Sequence, residues 1–202
     1  MMTQTVHVID DDEAMRESIA FLLESAKFAA RVYETAPALL ARADKLEPGC
    51  IVTDVRMPEM SGLELVVRVK ELHLSHPVIV ITGHADVALA VEAMKAGVAD
   101  FLEKPFEDEA LLSAVRAALA GGDEAAGKEL GRVEVEARLA TLTEREREVF
   151  DAVVGGASNK LAAQELGISP RTVEIYRANV MQKMGAEHLS ALVRMAMRCG
   201  QV

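Results

Sequence analysis

The first 120 residues alternate short apolar segments with longer amphipathic ones, and this alternation constrains the fold more than any other feature of the sequence. The apolar segments have the length and β-branched composition of buried strands, and the segments between them have the spacing of helices. The predicted strands are Thr5–Ile9, Phe28–Tyr33, Cys50–Asp54, Pro77–Thr82 and Ala99–Leu102. Because strands that alternate with helices build a parallel sheet covered on both faces, we predict an α/β doubly wound domain with five parallel strands.

The amphipathic segments predict the helices that cover this sheet. The acidic cluster that follows the first strand is typical of the first turn of a helix, where it complements the helix dipole. Gly97 is a typical signal for the end of a helix. After the first helix, the predicted helices are Pro37–Leu46, Ser61–Leu74, Asp86–Ala96 and Glu107–Ala120.

Polar side chains stand at the ends of four predicted strands. Asp10 and Asp11 follow the first strand, and Asp54 ends the third. Thr82 ends the fourth strand, and Lys104 follows the fifth. Functional groups in open α/β sheets gather beyond the carboxyl ends of the strands. We therefore expect three carboxylates, one hydroxyl and one ammonium at a single edge of the sheet.

These groups predict a site for a cation and a phosphoryl group. Carboxylates that lie close together repel one another, so they need a cation or a raised pKa, and oxygen ligands suit Mg²⁺. Asp54 would then be the nucleophile that forms an acyl phosphate, with Lys104 and Thr82 on the phosphoryl oxygens. Each residue also has a simpler interpretation: Asp54 as a solvated turn residue, Lys104 as a structural ion pair and Thr82 as a strand-end cap.

Residues 5 to about 120 resemble the receiver domain of two-component response regulators. The resemblance rests on Asp10-Asp11, on Asp54-Val-Arg-Met-Pro-Glu-Met-Ser-Gly62, on Thr82-Gly83 and on Phe101-Leu-Glu-Lys-Pro-Phe106. It implies a flavodoxin-like fold and phosphoryl transfer from a partner histidine kinase to Asp54. It also implies Mg²⁺ ligands, with Asp11 in direct contact and Asp10 acting largely through water; the full set is Asp10, Asp11, Asp54 and the backbone carbonyl of Arg56.

The same resemblance implies a switch. The hydroxyl of Thr82 would move toward the phosphoryl group, and the ring of Phe101 would rotate inward. The face formed by residues 85–106 would then be repacked and would dimerise. Phe101 lacks the hydroxyl of a tyrosine, and its simpler interpretation is a core aromatic residue. The Lys104-Pro105 bond is expected to be cis, which only X-Pro bonds adopt at low cost.

The chain changes character after Ala120. Gly121–Gly127 is a boundary of small and acidic residues, and Lys128–Leu139 predicts a charged, mostly exposed helix or a partly mobile segment. Residues 1–138 have a net charge of −11, whereas residues 139–202 have a net charge of +1. We predict a receiver domain at residues 1–121, a linker at 122–139 and a second domain at 140–202, with different partners for the two domains.

The second domain has the layout of a helix-turn-helix. Thr143 and Glu146 form a capping box at the start of one helix. Ser158 caps the next helix, which Gly167 ends, and Ser169-Pro170 starts a further helix that runs to Met184. Two helices joined by a short glycine turn predict an all-α helix-turn-helix domain. The alternative for the helix from Pro170 is a solvated amphipathic helix.

Residues 140–200 resemble the LuxR-type helix-turn-helix. The resemblance rests on Leu142-Thr143-x-Arg145-Glu146-x-Glu148-Val149, Ser158-Asn159-Lys160-x-Ala162 and Ile168-Ser169-x-x-Thr172-Val173. Together the two domains are similar to the FixJ group of response regulators. The resemblance implies that the helix from Pro170 enters the major groove of double-stranded DNA. The expected base contacts are Arg171, Thr172, Glu174 and Arg177, and the expected phosphate contacts are Asn159, Lys160 and Lys183.

These expectations describe a regulator of transcription rather than an enzyme. Phosphorylation would promote receiver dimerisation and release the second domain, whose near-neutral charge favours a dimer on paired half-sites. RNA polymerase is an expected partner. A magnesium-dependent aspartyl phosphatase is disfavoured because Arg56 stands where such enzymes place a second aspartate. A protein with a vestigial receiver that binds DNA constitutively stays an alternative.

Composition narrows the remaining function classes. The sequence has no secretory leader pattern and no apolar run long enough to span a membrane, so we expect a soluble cytoplasmic protein. Cys50 and Cys199 lie far apart and are expected to be free thiols rather than a disulfide or a zinc site. Stacking aromatic residues are scarce after residue 139, which disfavours RNA as a ligand.

Overall fold

The computed structural model describes residues 4–83, 87–120 and 126–201. Its five strands are β1 (Thr5–Ile9), β2 (Ala29–Tyr33), β3 (Gly49–Asp54), β4 (Val78–Thr82) and β5 (Asp100–Glu103). All neighbouring strands pair in parallel, in the spatial order β2-β1-β3-β4-β5. The predicted five-stranded parallel sheet is therefore confirmed. Each observed strand begins and ends within one residue of its predicted bounds. The central strands β1 and β4 are buried throughout, as unbroken apolar runs in a parallel sheet usually are.

The first five helices follow the strands in turn. They are α1 (Glu13–Ser25), α2 (Ala36–Leu40), α3 (Gly62–Glu71), α4 (Val87–Ala96) and α5 (Asp108–Leu119). The single helix predicted at Pro37–Leu46 is wrong, since α2 ends at Leu40 and a short 3₁₀ helix follows at Ala43–Lys45. A helix of this length depends on the apolar face that it buries, and Leu39 is the last buried residue of the segment. The predicted helix start at Asp86 lies outside the described residues.

Helices cover the sheet on both faces. On one face Val6, Val8, Cys50, Val52 and their neighbours pack against α1 and α5. On the other face Ile51 and Val80 are also buried, and α2 and α3 contact β2 and β4. Gly62 allows α3 to begin against the end of β3, because a Cβ atom there would lie 2.2 Å from the backbone oxygen of Asp54. The close start of α3 fixes the loop that carries the residues after Asp54.

Both cysteines are free, as expected. Cys50 lies within the sheet, and burial raises the pKa of its thiol to about 12. It is therefore an inert core residue.

His7 of β1 is a buried imidazole with a hydrogen-bond partner on each ring nitrogen. Its Nε2 lies 2.9 Å from the carbonyl oxygen of Glu47, and its Nδ1 lies 3.2 Å from the hydroxyl of Tyr33. A carbonyl only accepts, so Nε2 donates and Nδ1 accepts from the tyrosine hydroxyl. The ring of His76 packs edge-on at 5.6 Å between centroids. Burial, and to a lesser extent His76, lowers the pKa of His7 below its ordinary value.

Because of His7, the free energy of unfolding is expected to decrease when the pH is lowered. The folded state favours the neutral form of His7. Below the ordinary histidine pKa of about 6.5, the imidazole takes up a proton in the unfolded chain but not in the folded one, which favours unfolding. The contribution of His7 to stability is therefore lost as the pH falls toward the lowered pKa of the folded state. Urea unfolding at pH 8 and pH 5.5 measures this loss. We expect His7→Gln to lose less stability than the wild type between the two values. An equal loss in both proteins would show that His7 does not carry the dependence.

The remaining helices are α6 (Ala126–Leu139), α7 (Glu144–Val154), α8 (Asn159–Leu166), α9 (Pro170–Met184) and α10 (Leu189–Arg198). The sequence signals at the starts of α7, α8 and α9 are confirmed. Thr143 and Glu146 form a capping box, and Ser158 and Ser169 accept from the backbone of α8 and α9. Gly167 adopts φ of 64°, a left-handed conformation that lets α8 end sharply before α9.

The described residues form two compact units. Residues 4–83 and 95–120 make up the first, and residues 87–94 and 126–201 make up the second. This division does not coincide with a boundary at residue 121, so the predicted domain bounds stay predictions. Among the described residues, no helix combines the length and the apolar character that crossing a bilayer requires.

Candidate functional site

The ammonium of Lys104 joins two carboxylates at the carboxyl edge of the sheet. Its Nζ lies 2.8 Å from Oδ2 of Asp10 and 2.7 Å from Oδ1 of Asp54. Asp10 follows β1 directly, Asp54 ends β3 and Lys104 follows β5. The order β1-β3-β4-β5 brings these three residues together although 94 positions separate Asp10 from Lys104.

The free oxygen of each carboxylate is held by the backbone. Oδ2 of Asp54 accepts from the amide of Arg56 at 2.6 Å, and Oδ1 of Asp10 accepts from the amide of Asp12 at 3.0 Å. Asp10 is 3% exposed and Asp54 is 8% exposed, so few water molecules reach them. Such charges persist in an interior only when they are paired and hydrogen-bonded, and both conditions are met here.

Burial alone would lower the pKa of the Lys104 ammonium. The hydrogen bonds and charges of Asp10 and Asp54 outweigh that effect and hold the pKa of Lys104 above its ordinary value. The ammonium therefore stays charged at neutral pH. An ionised carboxylate beside a fixed cation is the arrangement that an aspartyl nucleophile needs, because the cation also stabilises charge on an incoming phosphoryl group.

Thr82 lies on β4, the strand next to that of Asp54, and Phe101 lies on β5, one strand further along the sheet. Thr82 is the last residue of β4 and is buried, and its carbonyl oxygen accepts from the amide of Lys104 at 2.7 Å. Phe101 of β5 is also buried and pairs in register with Val80 of β4. The predicted switch residues therefore lie on adjacent strands, with Thr82 at the carboxyl edge and Phe101 two residues further into the sheet. The Lys104-Pro105 bond that follows is cis, as expected.

Two of the predicted magnesium ligands lie close together, and a third does not share their buried position. Asp10 and Asp54 converge on one cation, whereas Asp11 is exposed. Across residues 4–83, 87–120 and 126–201, no three acidic, histidine or cysteine side chains form a cluster that could hold a metal ion. Mg²⁺ needs only one or two carboxylates with water and phosphate oxygens, so the donors at this edge suit it.

The polar residues of α8 and α9 form the second candidate site. Nη1 of Arg177 donates to Oδ1 of Asn159 at 3.3 Å, which links the two helices of the helix-turn-helix. Arg171 at the start of α9 donates to Glu174 at 2.9 Å. Its side chain is 82% exposed, so this ion pair is weak and the guanidinium can exchange it for another anion.

Thr172 and Lys160 also lie on this part of the domain. The hydroxyl of Thr172 lies 2.7 Å from that of Ser169, the cap of α9, and Lys160 is exposed on α8. Ile175 is 53% exposed on α9.

Lys183 differs from the other predicted DNA contacts. Its ammonium lies 2.6 Å from Oε2 of Glu146 and also donates to the carbonyl oxygen of Thr141 at 3.3 Å. Glu146 further accepts from the backbone amide of Thr143 at 2.8 Å. The Lys183 and Thr143 hydrogen bonds lower the pKa of Glu146 to about 2. Lys183 thus holds α9 to α7, a role that periodicity does not reveal.

Glu146→Gln is expected to destabilise the second unit. The lowered pKa of Glu146 means that its contribution is fully present above its ordinary pKa of 4.5 and is lost as pH falls toward about 2. Urea unfolding at pH 7 should show a lower unfolding free energy for the variant, with a difference that shrinks by pH 3. Glu148→Gln, which removes an exposed carboxylate from the same helix, is the control. Equal stability of the two variants at pH 7 would contradict this role.

The chain matches two protein-family models in succession. Residues 6–116 match the response regulator receiver domain, and residues 140–196 match the bacterial regulatory proteins of the luxR family. The chain is also 56% identical to the transcriptional regulatory protein FixJ of Azorhizobium caulinodans over 195 residues, which cover 96% of this chain and 92% of that protein. The chain belongs to the FixJ-like response regulators.

Solved structures agree with this family. Full-length FixJ from B. japonicum is 49% identical, covers 100% of both chains and has a TM-score of 0.58. The beryllofluoride-activated receiver domain dimer of NtrC4 is 35% identical over 57% of this chain and 96% of that chain, with a TM-score of 0.55. A FixJ-like regulator carries a receiver domain and a LuxR-type DNA-binding domain, an organisation consistent with phosphorylation-dependent control of transcription.

Proposed function

We propose that Asp54 accepts a phosphoryl group from a partner histidine kinase and that this modification switches the DNA-binding domain on. The observation that carries the proposal is the ammonium of Lys104 between Asp10 and Asp54. It pairs directly with the nucleophile and supplies positive charge where phosphoryl oxygens arrive. An exposed aspartate at a turn would have neither property.

The transfer needs one bond to form and one to break. A carboxylate oxygen of Asp54 attacks the phosphorus of the phosphorylated histidine, the phosphorus–nitrogen bond breaks, and the imidazole leaves with the bonding electron pair and takes up a proton. Lys104 and the hydroxyl of Thr82 bind the phosphoryl oxygens. Mg²⁺, when bound, neutralises charge on these oxygens. Its proposed ligands are Asp10, Asp11, Asp54 and the backbone carbonyl of Arg56.

Phosphorylation would reach the DNA-binding domain through Thr82 and Phe101. Both are buried. Thr82 ends the strand next to that of Asp54, and Phe101 pairs with Val80, two residues before Thr82, so a phosphoryl group that moves Thr82 would change the packing along these two strands. We propose that the repacked surface pairs two receiver domains. The NtrC4 receiver, a relative of similar fold, forms a dimer when it is activated by beryllofluoride. Two DNA-binding domains of near-neutral charge would then bind paired half-sites and recruit RNA polymerase.

Within that assembly α9 would lie in the major groove. Arg171, Thr172, Glu174 and Arg177 would face base edges, and Asn159 and Lys160 would face phosphates. Lys183 is the weakest of the proposed phosphate contacts, because a phosphate would have to compete with Glu146 for its ammonium.

The dimerisation step is tested by the solution mass of the protein. Light scattering with Mg²⁺, before and after addition of beryllofluoride, should change from the mass of a monomer to that of a dimer. Asp54→Asn should keep the mass of the monomer under both conditions. A wild-type protein that binds beryllofluoride and stays monomeric would overturn the dimerisation step, and one that does not bind it would favour a vestigial receiver.

A further inference from the structure

The C-terminal end of α9 is bound by a guanidinium that comes from α6. Nη1 of Arg138 donates to the carbonyl oxygen of Met184, the last residue of α9, at 2.6 Å. Gly185 follows in a left-handed conformation, and a Cβ atom there would lie 2.5 Å from the same Nη1. The last carbonyl groups of a helix lack partners within the helix and attract cations. Arg138 therefore satisfies this helix end from outside the helix.

A second set of hydrogen bonds ties the same helix end to the start of α7. Lys183 binds Glu146 in the capping box of α7 and the carbonyl oxygen of Thr141. The hydroxyl of Thr141 in turn donates to the carbonyl oxygen of Arg138 at 2.7 Å. These bonds form a closed junction of Arg138, Thr141, Glu146, Lys183 and Met184. Movement of the end of α6 must therefore move the end of α9.

The end of α6 is also packed into the second unit. Val135 and Leu139 are buried, and α6 contacts both α9 and α10. Nη2 of Arg138 donates to Glu134 at 2.7 Å, which fixes the guanidinium from its other side. The sequence predicted a charged, mostly exposed helix here, with a partly mobile segment as the alternative. The segment is a helix, and its last turns also support the end of α9.

Arg138 is distant from the positions that would read DNA. Thr172 and Met184 are separated by twelve residues of helix, which is ~18 Å at the helical rise per residue. A tilt of about ten degrees at the Met184 end would displace the Thr172 end by ~3 Å over that length. Hydrogen bonds to base edges do not survive such a displacement. The junction thus controls specific contacts that it does not itself make.

We propose that Arg138 is a positioning residue for sequence-specific DNA binding, and that it sets the angle of α9 from α6. The inference rests on the proposed role of α9 in reading DNA. It adds a residue outside the helix-turn-helix that determines specificity. It also gives the segment that follows the receiver a direct mechanical connection to the recognition helix.

The test compares specific and non-specific DNA binding by the full chain. The specific probe is the duplex that the wild-type protein, with Mg²⁺ and beryllofluoride, enriches from a random library, and the second probe is a scrambled duplex of equal length and composition. The variants are Arg138→Ala, Arg138→Lys and, as a control, Arg132→Ala, which removes the same charge and an i,i+4 ion pair from the same helix. Affinities are measured at several salt concentrations.

We expect Arg138→Ala to weaken binding of the enriched duplex about tenfold, comparable to one mismatched base pair, and to leave the scrambled duplex nearly unaffected. The salt dependence should be unchanged, and Arg138→Lys should recover part of the affinity because an ammonium still reaches the carbonyl. Arg132→Ala should bind both duplexes as the wild type does.

Three results would overturn the inference. Equal losses on both duplexes would indicate that Arg138 only supports folding. A salt slope lowered by about 0.9 would indicate that Arg138 contacts a phosphate. If Arg138→Ala bound the enriched duplex as tightly as the wild type does, Arg138 would have no role in specific DNA binding. Failure of the wild-type protein to enrich a duplex is distinguishable from these, because it would overturn the proposed DNA reading as well.

Discussion

Asp54→Asn is expected to abolish phosphoryl uptake. The carboxamide has nearly the shape of the carboxylate but lacks the nucleophilic charged oxygen, so no acyl phosphate forms. The substitution also removes one of the two carboxylates that pair with the ammonium of Lys104, so that Asp10 is the one that remains. Intact-protein mass after incubation with acetyl phosphate and Mg²⁺ should show the added phosphoryl group on the wild type and none on the variant.

Asp12→Asn is the matched control for this experiment. Asp12 caps α1 by accepting from the amides of Ala14 and Met15, and asparagine caps helices equally well. The control removes an equal charge two residues from Asp10 and should be phosphorylated like the wild type. A phosphoryl group that persists on Asp54→Asn at full stoichiometry would show that another residue is the acceptor.

Lys104→Met is expected to destabilise the protein in the absence of Mg²⁺ and to make it depend on the ion. Removal of the ammonium leaves Asp10 and Asp54 as two buried carboxylates without their cation. Breaking a fully buried pair costs about 3–5 kcal/mol, and solvent screening at this partly exposed lysine reduces the expected loss to about 2 kcal/mol. Because Mg²⁺ replaces the missing charge, it should restore more stability to the variant than it adds to the wild type.

Urea unfolding with and without Mg²⁺ measures both effects. Lys45→Met removes an exposed ammonium from the same unit and should change neither the unfolding free energy nor its response to the ion. A Lys104→Met protein that is as stable as the wild type without Mg²⁺ would contradict the electrostatic account of the site. An equal response to Mg²⁺ in both proteins would show that the ion does not bind at this carboxylate pair.

The sheet and its edge were predictable because their signals are local. Runs such as Val78–Thr82 have one structural solution in a chain that alternates strands and helices, and parallel topology then places the strand ends together. The convergence of Asp10, Asp54 and Lys104 follows from that topology alone. The length of α2 could not be predicted in the same way, because it depends on which of its side chains are buried against the rest of the protein.

The junction at the end of α9 could not be predicted from the sequence. Arg138 and Met184 are 46 positions apart, and the bond between them depends on how α6 packs. Lys183 illustrates the same limit. Its position on a polar helix suggested a phosphate contact, whereas its ammonium is held by Glu146 and Thr141. A basic residue on a helix carries no local signal that separates a ligand contact from a tertiary one.

The most direct test of phosphorylation-dependent DNA binding is the affinity of the full chain for its enriched duplex, measured with Mg²⁺ in the presence and absence of beryllofluoride. The wild type should bind at least tenfold more tightly with beryllofluoride, and Asp54→Asn should bind with the lower affinity under both conditions. Equal affinity of the wild type with and without the mimic, at confirmed occupancy of Asp54, would contradict the account.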